Sequence, residues 1–470
     1  MLFSSVSFLF MFLPVTLFLY FIVPMKYKNG ILLITSLFFY AWGEPVYVVL
    51  MMLSILFNYA CGLDIGYHAD DPVNEKRGVI FAVVGNLLVL GFFKYYGFLI
   101  GSFNSISPID IPYRELSLPI GISFYTFQAM SYVIDVYRKK VYPQKNLLKF
   151  AVYVSMFPQL IAGPIVRYSD IERQLEHRSI SVNKFGDGIF YFIRGLAKKV
   201  LIANTVGAIF TRITALDFGT YSVMTAWIGC ASYAFQIYFD FSGYSDMAIG
   251  LGKMFGFDFL KNFDYPYTSK SITEFWRRWH ISLSTWFREY VYIPLGGNRK
   301  GQRRTMINLM VVWGLTGLWH GANWTFLFWG LYYGLLLLVE KFVIGDAIER
   351  IPGAVRHVYT MVLVLIGWVF FFSEDLGSAF QYLGVMFGIG AKGFIDSQGI
   401  YFLATNWLIY LVAVIGSTSI GFYLLDRIVY NYRNGEGRKE ISCVIYLLIF
   451  LISVAFLVTE NYNPFLYFRF

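Results

Sequence analysis

The chain has 470 residues, of which 57% are apolar and 14% charged, whereas an ordinary soluble domain runs to about 45–50% apolar and about 25% charged. That composition excludes an intrinsically disordered chain and a soluble enzyme. The net charge of +9 is read as Lys- and Arg-rich cytoplasmic loops beside an anionic leaflet, not as a nucleic-acid surface.

Apolar runs that could enter or cross a bilayer recur near residues 5–24, 30–60, 79–100, 119–136, 149–165, 186–211, 221–252, 305–342, 357–373, 402–425 and 441–459. No basic residue precedes the first run, which is longer than a signal-peptide core, so it reads as a retained span with its N-terminus outside. Gly43-Glu44-Pro45 divides the 30–60 run in two. The pattern predicts an all-α, polytopic integral membrane protein, one domain over residues 1–470. It would hold about eleven to fourteen membrane-embedded helices, some of them re-entrant or interfacial. Cys61, Cys230 and Cys443 are odd in number and widely spaced, and read as small buried hydrophobes.

The loops set a topology. Residues 138–149 carry Arg138, Lys139, Lys140, Lys145 and Lys149 with no acid and should be cytoplasmic. Residues 102–118 should face out. Arg427, Arg433, Arg438 and Lys439 place 426–440 inside, and the last run then carries the C-terminus outside. Between Lys261 and Arg304 nine basic residues stand against three acids, interleaved with Trp276, Trp279, Trp286 and other aromatics. A centred Arg costs about 2.5–3.5 kcal/mol on insertion scales, so this segment reads as interfacial or re-entrant helices on the cytoplasmic side.

Three constellations could carry chemistry. Residues 306–339 hold no Asp, Glu, Lys or Arg. As one helix the run would be about 51 Å long against a hydrocarbon core of about 30 Å. A break is expected at Gly321-Ala322-Asn323, with His320 directly before it and Trp319 and Asn323 beside it. Histidine can move a proton at neutral pH without a permanent charge in lipid. His280, in Trp276-Arg277-Arg278-Trp279-His280, is the second candidate, and its spacing from His320 matches no metal motif. The third is Tyr238 to Asp246, where Asp240 and Asp246 should face the bundle interior. Two classes remain open on these residues: an intramembrane transferase with His as general base, or an ion-coupled transporter. The absence of an internal repeat and the basic aromatic segment beside His280 favour the transferase.

The stretches Leu118–Gln128, Phe157–Pro164, Tyr238–Asp246, Phe275–His280 and Leu318–Trp324 together resemble the membrane-bound O-acyltransferase (MBOAT) family, in particular members that acetylate polysaccharides. The resemblance implies acetyl transfer across the membrane to an extracytoplasmic polysaccharide. It also implies an extracytoplasmic or membrane-anchored acyltransferase partner, working with the polysaccharide synthesis machinery. D-alanyl or another acyl transfer to a cell-wall polymer is the alternative. The family's essential histidine falls on His320 and its second motif histidine on His280. No bound cofactor is expected. Acetyl-CoA is the expected donor, its phosphates met by Arg277 and Arg278, and the remaining partners are membrane lipids, with no nucleic acid. The tail Asn463–Phe470 is similar to the aromatic C-terminal motif of a small partner in teichoic acid D-alanylation. That similarity makes Tyr467 a candidate acyl relay.

Overall fold

The computed structural model describes residues 1–470 except 115, 162, 422, 424–438 and 460–470. Most of the basic segment 426–440 and the tail with Tyr467 therefore lie outside the described residues. Among those described, the regular structure is helical: α1 (Leu13–Ile22), α2 (Lys28–Gly43), α3 (Tyr47–Tyr67), α4 (Pro72–Ile106), α5 (Ile122–Tyr137), α6 (Leu147–Ser155), α7 (Phe157–Leu160), α8 (Tyr168–Glu176), α9 (Val182–Ala197), α10 (Asn204–Thr214), α11 (Val223–Met254), α12 (Ile272–Arg278), α13 (Ile281–Phe287), α14 (Gln302–His320), α15 (Trp324–Leu338), α16 (Gly353–Phe372), α17 (Leu376–Met386), α18 (Ser397–Gly416) and α19 (Lys439–Thr459).

Among the described residues, six helical stretches are long and apolar enough to cross a membrane: Tyr47–Tyr67, Pro72–Ile106, Trp324–Arg350, Gly353–Phe372, Ser397–Gly416 and Ser442–Thr459. The described residues show six such stretches against the eleven to fourteen embedded helices expected, and several of the remaining apolar helices are shorter than a span. α2 and α5 have 16 residues each, about 24 Å of helix and less than the bilayer core. The expected break at Gly43-Glu44-Pro45 falls between α2 and α3. The segment 261–304 holds only short helical pieces, α12 and α13 with a 3-10 turn at Pro266–Thr268 and a π-helical turn at Arg288–Tyr292, and no span, in keeping with its charge.

The chain divides into two compact units: residues 1–192 with 245–260, and residues 193–244 with 261–470. In the first unit α5 is the central element, buried on every side except at Ile134 and Tyr137. Its start needs a glycine. Gly121 has φ +76, and a Cβ there would lie 2.7 Å from the Leu160 carbonyl oxygen. Elsewhere in this unit Phe3, Phe8, Phe12, Phe39 and Phe157 pack ring to ring.

In the second unit α14 and α15 form a tight hairpin. A Cβ at Gly317 would run into the Phe326 carbonyl oxygen, and one at Gly330 into that of Trp313. Such small residues let helix backbones approach in a membrane protein, where packing rather than water drives association.

Candidate active site

The second unit brings His280 and His320 together. The basic aromatic segment is held at one end by a distant carboxylate. Glu340 accepts hydrogen bonds from the Ile272 and Thr273 amides at 2.6 and 2.8 Å, and from Thr273 Oγ1 at 2.7 Å. Ser271 Oγ caps α12 by accepting from the Glu274 amide. Orphan N–H groups and the positive end of the helix dipole are thereby answered together. Phe275, Trp276 and Trp279 then bury themselves in the unit.

His280 is the joint between α12 and α13, with left-handed dihedrals φ 46 and ψ 54. Asn262, 18 residues earlier, fixes it. Asn262 Oδ1 accepts from the Ser282 amide at 3.1 Å and from Ser282 Oγ at 2.9 Å, and faces His280 Nδ1 at 3.3 Å. The Asn262 carbonyl accepts from the Ile281 amide. A backbone N–H can only donate, so the atom facing it is the amide oxygen, and His280 therefore carries its proton on Nδ1. Nε2 keeps the lone pair. Burial pushes the His280 pKa down to about 3, so the ring is neutral. Phe241 on α11 meets His280 edge to face at 4.7 Å, and Tyr238, one turn back, meets Trp279 at 6.2 Å.

His320 is the last residue of α14. The charge-free run breaks where expected, at Gly321, and Asn323 starts α15 by accepting from the Thr325 amide at 3.0 Å. Asn323 Nδ2 donates to the Glu374 carbonyl at 2.8 Å, so its two ends cap one helix and tether the turn before α17. Trp319, Trp329 and Phe371 surround the His320 ring at 5.0, 5.0 and 5.2 Å. The His280 and His320 rings lie 6.4 Å apart, centroid to centroid, and both side chains are buried.

The remaining candidates separate. Asp240 pairs with Lys199 at 2.8 Å, and Lys199 also donates to Asn204 Oδ1 at 2.9 Å, all buried. Lys199 sits in a π-helical turn, Lys198–Ala203. Asp246 belongs to the first unit and is half-buried. Arg278 is engaged by Glu274 at 2.8 Å and by Asp264 at 3.7 Å. Arg277 is exposed and makes no ion pair among the described residues.

A neutral, oriented imidazole beside a second buried histidine in an aromatic cage suits proton transfer at an acyl centre shielded from water. The comparisons name the class. Residues 142–372 match the model of the MBOAT, membrane-bound O-acyltransferase, family. The chain is 40% identical over its full length to the whole of a probable alginate O-acetylase AlgI of Pseudomonas putida. It is 47% identical to the Pseudomonas aeruginosa protein of the same description, over 83% of this chain and 75% of that one. A peptidoglycan O-acetyltransferase of Helicobacter pylori is 34% identical over 100% of this chain and 98% of its own. The chain belongs to the membrane-bound O-acyltransferase family. It is a membrane-embedded O-acyltransferase, which decides between the two classes left open by the residues alone.

Proposed function

We propose that this protein transfers an acetyl group from a cytoplasmic thioester donor, acetyl-CoA, toward a hydroxyl of an extracytoplasmic polysaccharide, and that an extracytoplasmic or membrane-anchored acyltransferase partner completes the delivery. The observation that carries this reading is the meeting of His280 and His320, 40 residues apart in sequence, with ring centroids 6.4 Å apart in one buried aromatic cage. The printed names of the relatives, alginate O-acetylase and peptidoglycan O-acetyltransferase, support acetyl as the group and a polymer as the acceptor class.

His320 acts as general base. It takes the hydroxyl proton while that oxygen attacks the thioester carbonyl, then returns the proton to the departing thiolate sulfur. His280, held neutral with Nδ1 protonated, orients the thioester end of the donor. Exposed Arg277 meets a donor phosphate, while Arg278 is already committed to Glu274 and Asp264. Tyr467 carries the acetyl group as an ester between the donor and the outer partner.

The test is polymer-bound acetate in cells with matched protein levels. His320→Gln is expected to lower it by about 10²–10⁴-fold, the range for loss of a general base. Near wild-type acetylation in that variant rejects the base assignment. Tyr467→Phe removes one oxygen and should abolish delivery, and full acetylation there rejects the relay.

A further inference from the structure

Of the indole N–H groups in the aromatic cage, those of Trp276 and Trp329 are both buried with no hydrogen-bond partner among the described residues, and of these two it is Trp329 whose ring meets His320. Trp329 projects from α15 and is 1% exposed. Its ring meets His320 at 5.0 Å with an interplanar angle of 80°, and meets Phe371 at 5.1 Å. Its indole N–H is buried and has no hydrogen-bond partner among the described residues. Buried indoles ordinarily find an acceptor. In the same unit Trp227 Nε1 donates to the Met386 carbonyl at 2.8 Å. A phenylalanine at position 329 would fill a dry cage without stranding a donor, and a stranded buried donor is costly. The other close neighbours of Trp329 are aromatic: Trp276 at 5.5 Å, Tyr333 at 5.3 Å, and Trp313 and Trp368 at 6.4 Å, with the Tyr333 hydroxyl turned to donate to the Val364 carbonyl at 3.4 Å. Their rings supply no carbonyl oxygen, whereas an acyl substrate beside His320 does.

We propose that the Trp329 indole N–H is the oxyanion donor of the acyl transfer, hydrogen-bonding the carbonyl oxygen of the acetyl thioester as it becomes negative. This rests on the acyl-transfer reading above. The new C–O bond forms as His320 accepts the hydroxyl proton. The carbonyl electron pair moves onto oxygen, where Trp329 donates to it. The pair then returns, the C–S bond breaks, and the thiolate leaves with the proton from His320. A neutral donor is suited to this place, because it carries no charge into the cage before the oxyanion forms.

The test uses the full-length chain in liposomes with labelled acetyl-CoA and a soluble polysaccharide, alginate, supplied as hydroxyl acceptor, and measures CoA release. Trp329 is replaced by 3-benzothienylalanine through stop-codon suppression. This keeps both fused rings and exchanges the N–H for sulfur, and Trp329→Phe is the second variant. Loss of a single oxyanion donor lowers kcat by about 10²–10³-fold. The expected result is a kcat loss of that order in both variants, with the donor KM and the melting midpoint kept. A wild-type kcat in the benzothienyl variant overturns the proposal and leaves the N–H to the faces of neighbouring rings. A rate loss matched by a lower melting midpoint or a raised KM also overturns it, by making Trp329 a wall residue. The His320→Gln chain measured alongside separates the two levels. If wild type is active, His320→Gln is inactive and the benzothienyl variant is fully active, then the oxyanion assignment alone fails. A wild-type chain that transfers nothing takes both down.

Discussion

At the scale of single residues, the site depends on an asparagine that no sequence signal marks. Asn262 is an ordinary loop residue 18 positions before His280, and its role exists only because the chain folds back on it. His280 was legible as a candidate, since a histidine among Trp and Arg at a membrane surface invites a functional reading. Its tautomer was not, because that depends on a contact distant in sequence. Removing one partner from a buried polar group costs about 1–3 kcal/mol, roughly ten- to a hundredfold in rate where the group is needed. Asn262→Ala should therefore lower kcat by that order with little change in protein level. Asn262→Asp keeps an acceptor but places a carboxylate beside the ring. It should favour the imidazolium and raise the His280 pKa from about 3, so that activity falls on the acid side at a higher pH than in wild type. A pH–rate profile of Asn262→Asp that superimposes on wild type would show that neutral His280 is not required.

Among elements, the α14–α15 hairpin was foreseeable. A charge-free run too long for one crossing had to break, and Gly321-Ala322-Asn323 was the place. How closely the two arms pack was not foreseeable, because glycines in apolar runs look alike until their neighbours are known. Gly330 faces the Trp313 carbonyl oxygen, while a Cβ at Gly314 would make only ordinary contacts, 3.7 Å from Leu331. Gly330→Ala should push the arms apart and shift His320 at the tip, costing about 1–3 kcal/mol and most of the activity. Gly314→Ala should be neutral or slightly stabilising, since Ala is preferred to Gly in a helix by about 0.8–1 kcal/mol. Thermal melts and CoA release on the two variants check this, and equal behaviour would reject the close-packing account. Asp240 was legible as a buried charge, but its partner Lys199 was not, because Lys198-Lys199 reads as a basic helix end. In the structure the pair is buried on both sides, which is how a membrane protein tolerates such charges.

For the whole molecule, composition alone carried membrane residence. The helix count was less accessible. Among the described residues six helical stretches meet the length and apolarity of a span, while shorter ones such as α2 and α5 owe their burial to neighbours that composition does not show. The concentration of positive charge in 261–304 has an effect that can be measured on the intact protein. Arg277→Gln should raise the KM for acetyl-CoA while membrane insertion and yield stay at wild-type levels, because no ion pair among the described residues holds this side chain. Arg278→Gln should instead act on yield, since it removes the partner of Glu274 and one of the two partners of Asp264, the other being Lys261. An unchanged KM in Arg277→Gln would leave that residue a topology determinant only.

The left-handed backbone at His280 bears on how any alanine scan of this enzyme should be interpreted. That conformation costs an ordinary L-residue about 1–2 kcal/mol, and only Gly, with Asn and Asp to a lesser degree, adopts it readily. His280→Ala therefore deletes the imidazole while leaving the unfavourable backbone in place, whereas His280→Gly deletes the same ring and relieves it. The difference in melting temperature between the two measures how much of the joint's geometry is imposed by the surrounding fold. The activity the two variants share, and not that of the alanine variant alone, measures the ring.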